Sequence, residues 1–128
     1  MRPSRGFSLI EVTISIFIIG VVLLLLQAII RSSTLIRMTK SQGIALSIAR
    51  NKLESVRVGG YTNIPVSGSF SDSLVSTFPR AATTTLTVST YNTKTKQIIV
   101  SVIWRDPGAA ASSTVSLLTL MTETGGLP

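Results

Sequence analysis

The chain has 128 residues, no cysteine and no histidine, and its 12 basic residues against five acidic ones give a formal net charge of +7. A chain of this length forms one small domain with a modest core, and without cysteine it has neither a disulfide nor a thiolate metal site. The five acids are scattered, so clustered groups for acid–base catalysis or metal binding are missing, and we predict a protein that is not an enzyme and binds no metal or cofactor.

The chain begins with a short basic leader that contains two arginines and ends at Gly6. An apolar run then extends over residues 7–30, and a single acid, Glu11, lies in its first turn. A charged group in a bilayer costs about 2.5–3.5 kcal/mol at the helix centre and less near an end, so this carboxylate needs a partner. Cleavage after Gly6 would create one, a cationic amine on Phe7.

The apolar run is long enough to cross a membrane. Residues 12–30 carry no charge, and Arg31 ends the run. About 20 apolar residues span a bilayer core, whereas a cleaved secretory signal has a shorter apolar stretch followed by a small-residue cleavage site. We therefore predict a retained transmembrane helix, although the bases on both flanks leave its orientation open.

Glu11 has two interpretations. Ser8 and Glu11 fit the S-x-x-E capping box, and an acid in the first turn also complements the helix dipole, so the carboxylate could serve only to start the helix. In a stack of parallel helices it would instead pair with the amine of a neighbouring chain. It would then fix the registry of the stack, which is the best-attested role of a buried polar pair.

Residues 31–58 contain no proline and are predicted to continue as an amphipathic helix, which Gly59 and Gly60 terminate. Its basic side is either a solvated surface or a contact surface for acidic neighbours or anionic lipid head groups. The opposite stripe, with spacings of three and four, is formed by Leu35, Met38, Gln42, Ala45, Ala49, Leu53 and Val56, with Leu46 and Ile48 widening it.

The rest of the chain reads as a loop followed by a small sheet. Residues 61–82 are rich in Ser, Gly and Pro and are predicted to form a loop with one short strand or turn. Three antiparallel strands are predicted at residues 83–90, 97–104 and 115–121, with turns at 92–95 and from Asp106 to Gly108.

The middle strand has the strongest alternation. Its apolar face consists of Ile98, Val100, Val102 and Trp104, so we predict that Trp104 is buried there; the alternative is an exposed contact at the strand's end. Three strands need a partner for their apolar face, and the amphipathic helix can provide it. The predicted fold class is α+β: a long N-terminal helix, half transmembrane and half amphipathic, packed on an antiparallel sheet of three to four strands.

The segment Arg5-Gly6-Phe7-Ser8-Leu9-Ile10-Glu11-Val12 resembles the cleavage signal of type IV pilin-like proteins. The resemblance covers residues 1–30: a basic leader, Gly, Phe, three residues, Glu and a long apolar helix. It implies the pilin fold, cleavage between Gly6 and Phe7 by a membrane prepilin peptidase, N-methylation of Phe7 and a role for Glu11 in assembly.

The second half resembles a narrower group. Residues 96–104 and 115–117 are similar to the C-terminal hairpin of PilV-like minor pilins and of I-class minor pseudopilins of type II secretion, and residues 45–57 are similar to their helix. Many major pilins carry a proline where this chain has Ala28, and many have a C-terminal disulfide loop that this chain cannot form. Both departures favour a minor subunit.

The resemblance implies four segments: a cleaved leader, 1–6; a transmembrane and filament-core helix, 7–30; the amphipathic helix of the head, 31–58; and the loop and sheet of the head, 59–128. The precursor is expected in the cell (inner) membrane as a single-pass protein with a cytoplasmic N-terminus. From there it would enter an extracellular pilus or a periplasmic pseudopilus. The implied partners are the prepilin peptidase, other pilins or pseudopilins in a helical filament, the inner-membrane assembly platform and membrane lipid.

We therefore predict a minor pilin or pseudopilin, a non-catalytic structural subunit of a type IV pilus or a type II secretion pseudopilus. One alternative is a membrane-anchored binding domain that does not polymerise and keeps its leader. Another is a DNA-uptake (competence) minor pilin that contacts DNA, for which a steep salt dependence of binding would be expected. The net charge alone does not favour DNA, because the bases concentrate in the leader and one helix, without interleaved aromatic residues.

Overall fold

The computed structural model describes residues 8–124. It contains one long helix and one antiparallel sheet whose strands follow chain order, which confirms the predicted α+β class. By its internal contacts the chain divides into two units, one up to Arg37 and one from Met38 onwards. The elements are α1 (Leu9–Gly59), β1 (Gly68–Ser69), β2 (Thr83–Asn92), β3 (Thr95–Trp104) and β4 (Ser113–Thr122), with 3-10 turns at Tyr61–Asn63 and Ser73–Thr77.

Both ends of α1 follow from the local sequence. Ser8 precedes the first helical residue, and its carbonyl accepts hydrogen bonds from the amides of Glu11 at 3.0 Å and Val12 at 3.2 Å. At the other end, Gly60 has a φ of +75°, a conformation that glycine adopts without steric cost. The predicted glycine stop is therefore confirmed.

The core of the second unit lies between one side of α1 and one face of the sheet. The predicted stripe on α1 is confirmed from Ala45 to Val56, and Ile48 is fully buried at its centre. At the N-terminal end the prediction was wrong: Leu35, Met38 and Gln42 are exposed, and Ser41 is buried instead. Ser41 lies one turn before Ala45 on the same line of the helix, and the described residues before it are exposed up to Ser8.

The sheet supplies the other half of this core. Ile98, Val100, Val102 and Trp104 of β3 are all at most 2% exposed, so the predicted apolar face and the burial of Trp104 are confirmed. The strands are longer than predicted, because pairing with β3 also includes polar positions such as Asn92 and Thr122. In the turn between β2 and β3, the Asn92 side chain accepts the Lys94 amide at 3.0 Å.

The loop between α1 and β2 contributes more to the core than its composition suggests. The short strand expected there is β1, whose Gly68 and Ser69 pair with Leu86 and Thr85. Phe78 is buried in the core, and partly buried apolar side chains of the same loop pack around it. The sequence pattern missed these contacts because they are not periodic; they are made by Ile64, Phe70, Leu74 and Val75.

The turn after β3 contains a buried carboxylate that the sequence did not reveal. Asp106 is 6% exposed; its Oδ1 accepts a hydrogen bond from Ser41 Oγ at 2.7 Å, and its Oδ2 accepts one from Trp104 Nε1 at 3.1 Å. The Asp106 carbonyl also accepts the Ala109 amide at 3.1 Å, which closes the predicted turn. Asp106 therefore links α1 to the end of β3, in addition to opening a turn.

We expect Asp106→Ala to lower the free energy of unfolding by about 1–3 kcal/mol, because it leaves two buried donors, Ser41 Oγ and Trp104 Nε1, without acceptors. Denaturant unfolding followed by the fluorescence of Trp104, the chain's one tryptophan, measures the change. Asp106→Asn keeps one acceptor oxygen and should lie between the alanine variant and the wild type. Equal midpoints for all three proteins would contradict a structural role for this carboxylate.

Candidate functional site

Of the three predicted site residues, the structure describes one. Gly6 and Phe7 lie outside residues 8–124. Glu11 lies in the first turn of α1 with an exposed side chain, and its carbonyl accepts a hydrogen bond from Ser15 Oγ at 2.7 Å. Within residues 8–124 no cation forms an ion pair with the Glu11 carboxylate. A carboxylate in this first turn interacts favourably with the positive end of the helix dipole.

The helix that carries Glu11 has an uncovered apolar surface. Every described residue before Ser41 is exposed, and the large apolar side chains from Leu9 to Ile30 are each at least 40% exposed. The helix is long and apolar enough to cross a membrane by length and composition. Exposed apolar surface in water costs about 25 cal/mol per Å², so this segment is unfavourable in water.

The hydroxyl groups in and just after this segment donate to the helix backbone. Thr13 and Ser15 within it, and Ser33 and Thr34 beyond it, each donate to the carbonyl four residues earlier, at 2.7–3.2 Å. Such bonds allow hydroxyl groups in an apolar environment, where each unsatisfied polar group is costly. Glu11 is the single charged residue between Leu9 and Ile30.

Basic residues follow the apolar segment at once. Arg31, Arg37 and Lys40 are all exposed on α1. Long basic side chains at the end of a membrane helix reach the head-group level, where their charge remains solvated. An uncharged stretch long enough to span a membrane therefore lies between Glu11 and Arg31.

The first part of the chain matches a known family model. The match is to the prokaryotic N-terminal methylation motif and covers residues 1–26. This motif is the class III leader of type IV pilins, a family of structural proteins. No curated protein and no solved structure matches the chain. The motif together with the exposed apolar helix indicates a type IV pilin-like precursor that is anchored in a membrane.

Proposed function

We propose that the chain is a minor pilin or pseudopilin, a non-catalytic subunit that joins a type IV pilus or a type II secretion pseudopilus after its leader is removed. One contrast supports this best. The unit from Met38 closes its own core, whereas no described residue of α1 before Ser41 is buried. A bilayer can cover that surface in the precursor, and neighbouring helices can cover it in a filament.

The proposed site combines Gly6, Phe7 and Glu11. Prepilin peptidase would cut after Gly6 and methylate the new amine of Phe7. In a filament that cationic amine would meet Glu11 of a neighbouring chain, so that each subunit contributes one charge of each sign. The leader, with its two further arginines, blocks this pairing until it is removed.

The proposed segments follow from this chemistry: leader 1–6, transmembrane and filament-core helix 7–30, amphipathic helix 31–58, and loop and sheet 59–128. The precursor would sit in the cell (inner) membrane with its N-terminus in the cytoplasm, an orientation that the resemblance to prepilins implies and that the bases on both flanks alone leave open. The inner-membrane assembly platform would then pass it into an extracellular pilus or a periplasmic pseudopilus. Ala28 and the lack of cysteine favour a minor subunit over a major one.

We expect the chain to lose Met1 to Gly6 in cells that contain a prepilin peptidase, and to gain a methyl group on Phe7. Intact-mass measurement of the membrane-extracted protein detects both changes. Gly6→Val is the matched control, because it removes the backbone freedom that glycine provides at the scissile bond, and it should keep the leader. A full-length mass for the wild-type chain in the same cells would contradict the assignment.

The same preparation separates the alternatives. A chain that inserts and folds but retains its leader is a membrane-anchored binding domain. A processed chain that binds DNA with a log–log salt slope near −0.9 for each phosphate contacted is a DNA-uptake subunit.

A further inference from the structure

We propose that the outer edge of β4, together with the groove beside it, binds an extended acidic strand of a partner protein. This surface lies in the unit from Met38 onwards, so the proposal does not depend on polymerisation of the chain. Three features carry the inference: an unprotected strand edge, the direction of its backbone groups and the charge of the adjoining groove.

The edge of β4 lacks the features that usually prevent strand pairing. In the described chain β4 is the last strand of the sheet, and β3 is its one partner strand. Its ten residues, STVSLLTLMT, include no charge, no proline and no glycine, and its register with β3 is unbroken. Natural edge strands are commonly protected by charges, proline or a bulge, and an edge without them is a template for another strand.

The alternation of hydrogen bonds between β3 and β4 shows which backbone groups of β4 point away from the sheet. The Glu123 amide donates to the Lys94 carbonyl at 2.9 Å, and the register continues one residue at a time from there. Bonded and non-bonded pairs alternate in an antiparallel ladder, so every second residue of β4 turns its N–H and C=O away from β3. These residues include Ser116, Leu118 and Leu120, and the Leu118 side chain is 58% exposed.

A cationic groove adjoins this edge. It has a volume of about 530 Å³, and its walls include Arg50, Glu54 and Arg57 of α1 and Leu117 and Leu118 of β4. Arg57 donates to Thr119 Oγ1 at 3.1 Å, which places its guanidinium beside the strand.

The groove keeps a net positive charge although Glu54 lies in its lining. Glu54 lies 3.7 Å from Arg57 with both side chains more than half exposed, a geometry that contributes little energy. Arg50, one turn before Glu54, forms no ion pair among residues 8–124, so the groove lining has two arginines and one acid. Alternate residues of a docked strand share one face, so carboxylates at every second position would meet both arginines.

Charge also argues against a second copy of this chain as the occupant. Residues 38–124 contain eight basic and four acidic residues. Pairing of two β4 edges would bring two cationic grooves together, whereas an acidic strand complements the groove and leaves the backbone pairing unchanged. The edge and the groove therefore specify one occupant, an extended segment with alternating carboxylates.

The test uses the full chain, labelled with ¹⁵N, in detergent micelles. Two acetylated and amidated ten-residue peptides serve as probes, one alternating threonine with glutamate and the other threonine with lysine. The glutamate peptide should shift the amide signals of Ser116, Leu118 and Leu120 and slow their hydrogen exchange. The lysine peptide should bind at least about threefold more weakly, a modest factor because exposed ion pairs are weak.

Variants separate the contribution of the β4 edge from that of the charge in the groove. Leu118→Pro removes one outward N–H that β3 does not use and should abolish binding, while Leu118→Thr keeps that N–H and should bind. Arg50→Ala should reduce the preference for glutamate over lysine. Arg50→Glu, a second test that leaves β4 unchanged, should reverse the preference, so that the lysine peptide binds more tightly than the glutamate peptide.

Three results would overturn the proposal. Equal binding of the two peptides would contradict recognition of acidic side chains. Signal shifts confined to residues away from β4 would contradict binding at its edge. Protection of the β4 amides that increases with the concentration of the chain itself would identify a second copy as the occupant.

Discussion

Glu11→Ala should leave the chain inserted and cleaved but should reduce its incorporation into filaments at least about tenfold. The substitution removes a charge from an apolar segment, so insertion becomes no harder. In the filament, however, the amine of a neighbouring chain would lose its partner. Leaving one half of a buried ion pair costs about 3–5 kcal/mol, and 1.4 kcal/mol corresponds to a factor of ten.

Incorporation is measured as the fraction of processed chain in sheared filaments, relative to the processed chain in the membrane. Glu11→Gln is the decisive control, because glutamine can complete a capping box but carries no charge. If the carboxylate pairs with an amine, the glutamine variant fails like the alanine variant. Wild-type incorporation of the glutamine variant would show that Glu11 only caps the helix, and a defect in cleavage alone would contradict both roles.

The parts of the fold that the sequence predicts correctly are those in which burial is periodic. Ile98, Val100 and Val102 alternate along β3 because one face of that strand is buried, and period-two burial can be read directly from the residues. The end of α1 at Gly59 is also determined by the local sequence, because Gly60 adopts a conformation that other residues avoid. The three strands and the helix end therefore needed no knowledge of tertiary contacts.

The errors concern contacts between residues far apart in the chain. Ser41 and Asp106 are 65 positions apart, and neither residue type marks a core position, so the hydrogen bond between them had no signal in the sequence. A tryptophan followed two residues later by an aspartate was the one available hint. The spacing predicts Gln42 instead of Ser41, because a stripe of mixed polarity fixes the side of a helix only to within about one residue.

The two candidate sites also differ in whether they depend on contacts between distant parts of the chain. The residues Gly6, Phe7 and Glu11 form a short linear motif, so a sequence is enough to propose them, although the structure describes just the last of the three. The groove beside β4 depends on which strand lies at the edge of the sheet and on which turn of α1 faces it. Neither the edge strand nor the facing turn of α1 can be predicted from periodicity, which shows which face of an element is buried but not the order of the strands.

A fragment starting at Arg31 should fold on its own, and Trp104→Ala should destabilise it by about 3–5 kcal/mol. Trp104 is 2% exposed, its ring centroid lies 5.8 Å from that of Phe78, and its Nε1 donates to Asp106. The substitution would open a cavity and leave the Asp106 carboxylate with one fewer donor. Small domains have only about 5–15 kcal/mol of total stability, so a large part of the molecules could unfold.

Far-UV circular dichroism during denaturant unfolding measures this loss, because the alanine variant has no tryptophan left to report. In the wild-type fragment the native emission should be blue-shifted and should move to the red on unfolding. Trp104→Phe separates packing from hydrogen bonding: it retains an aromatic ring beside Phe78 and should cost about 1–3 kcal/mol, mainly from the unsatisfied Asp106 oxygen. An alanine variant with the wild-type midpoint would contradict the burial of Trp104. A folded alanine variant that fails only to assemble would instead make Trp104 a partner contact.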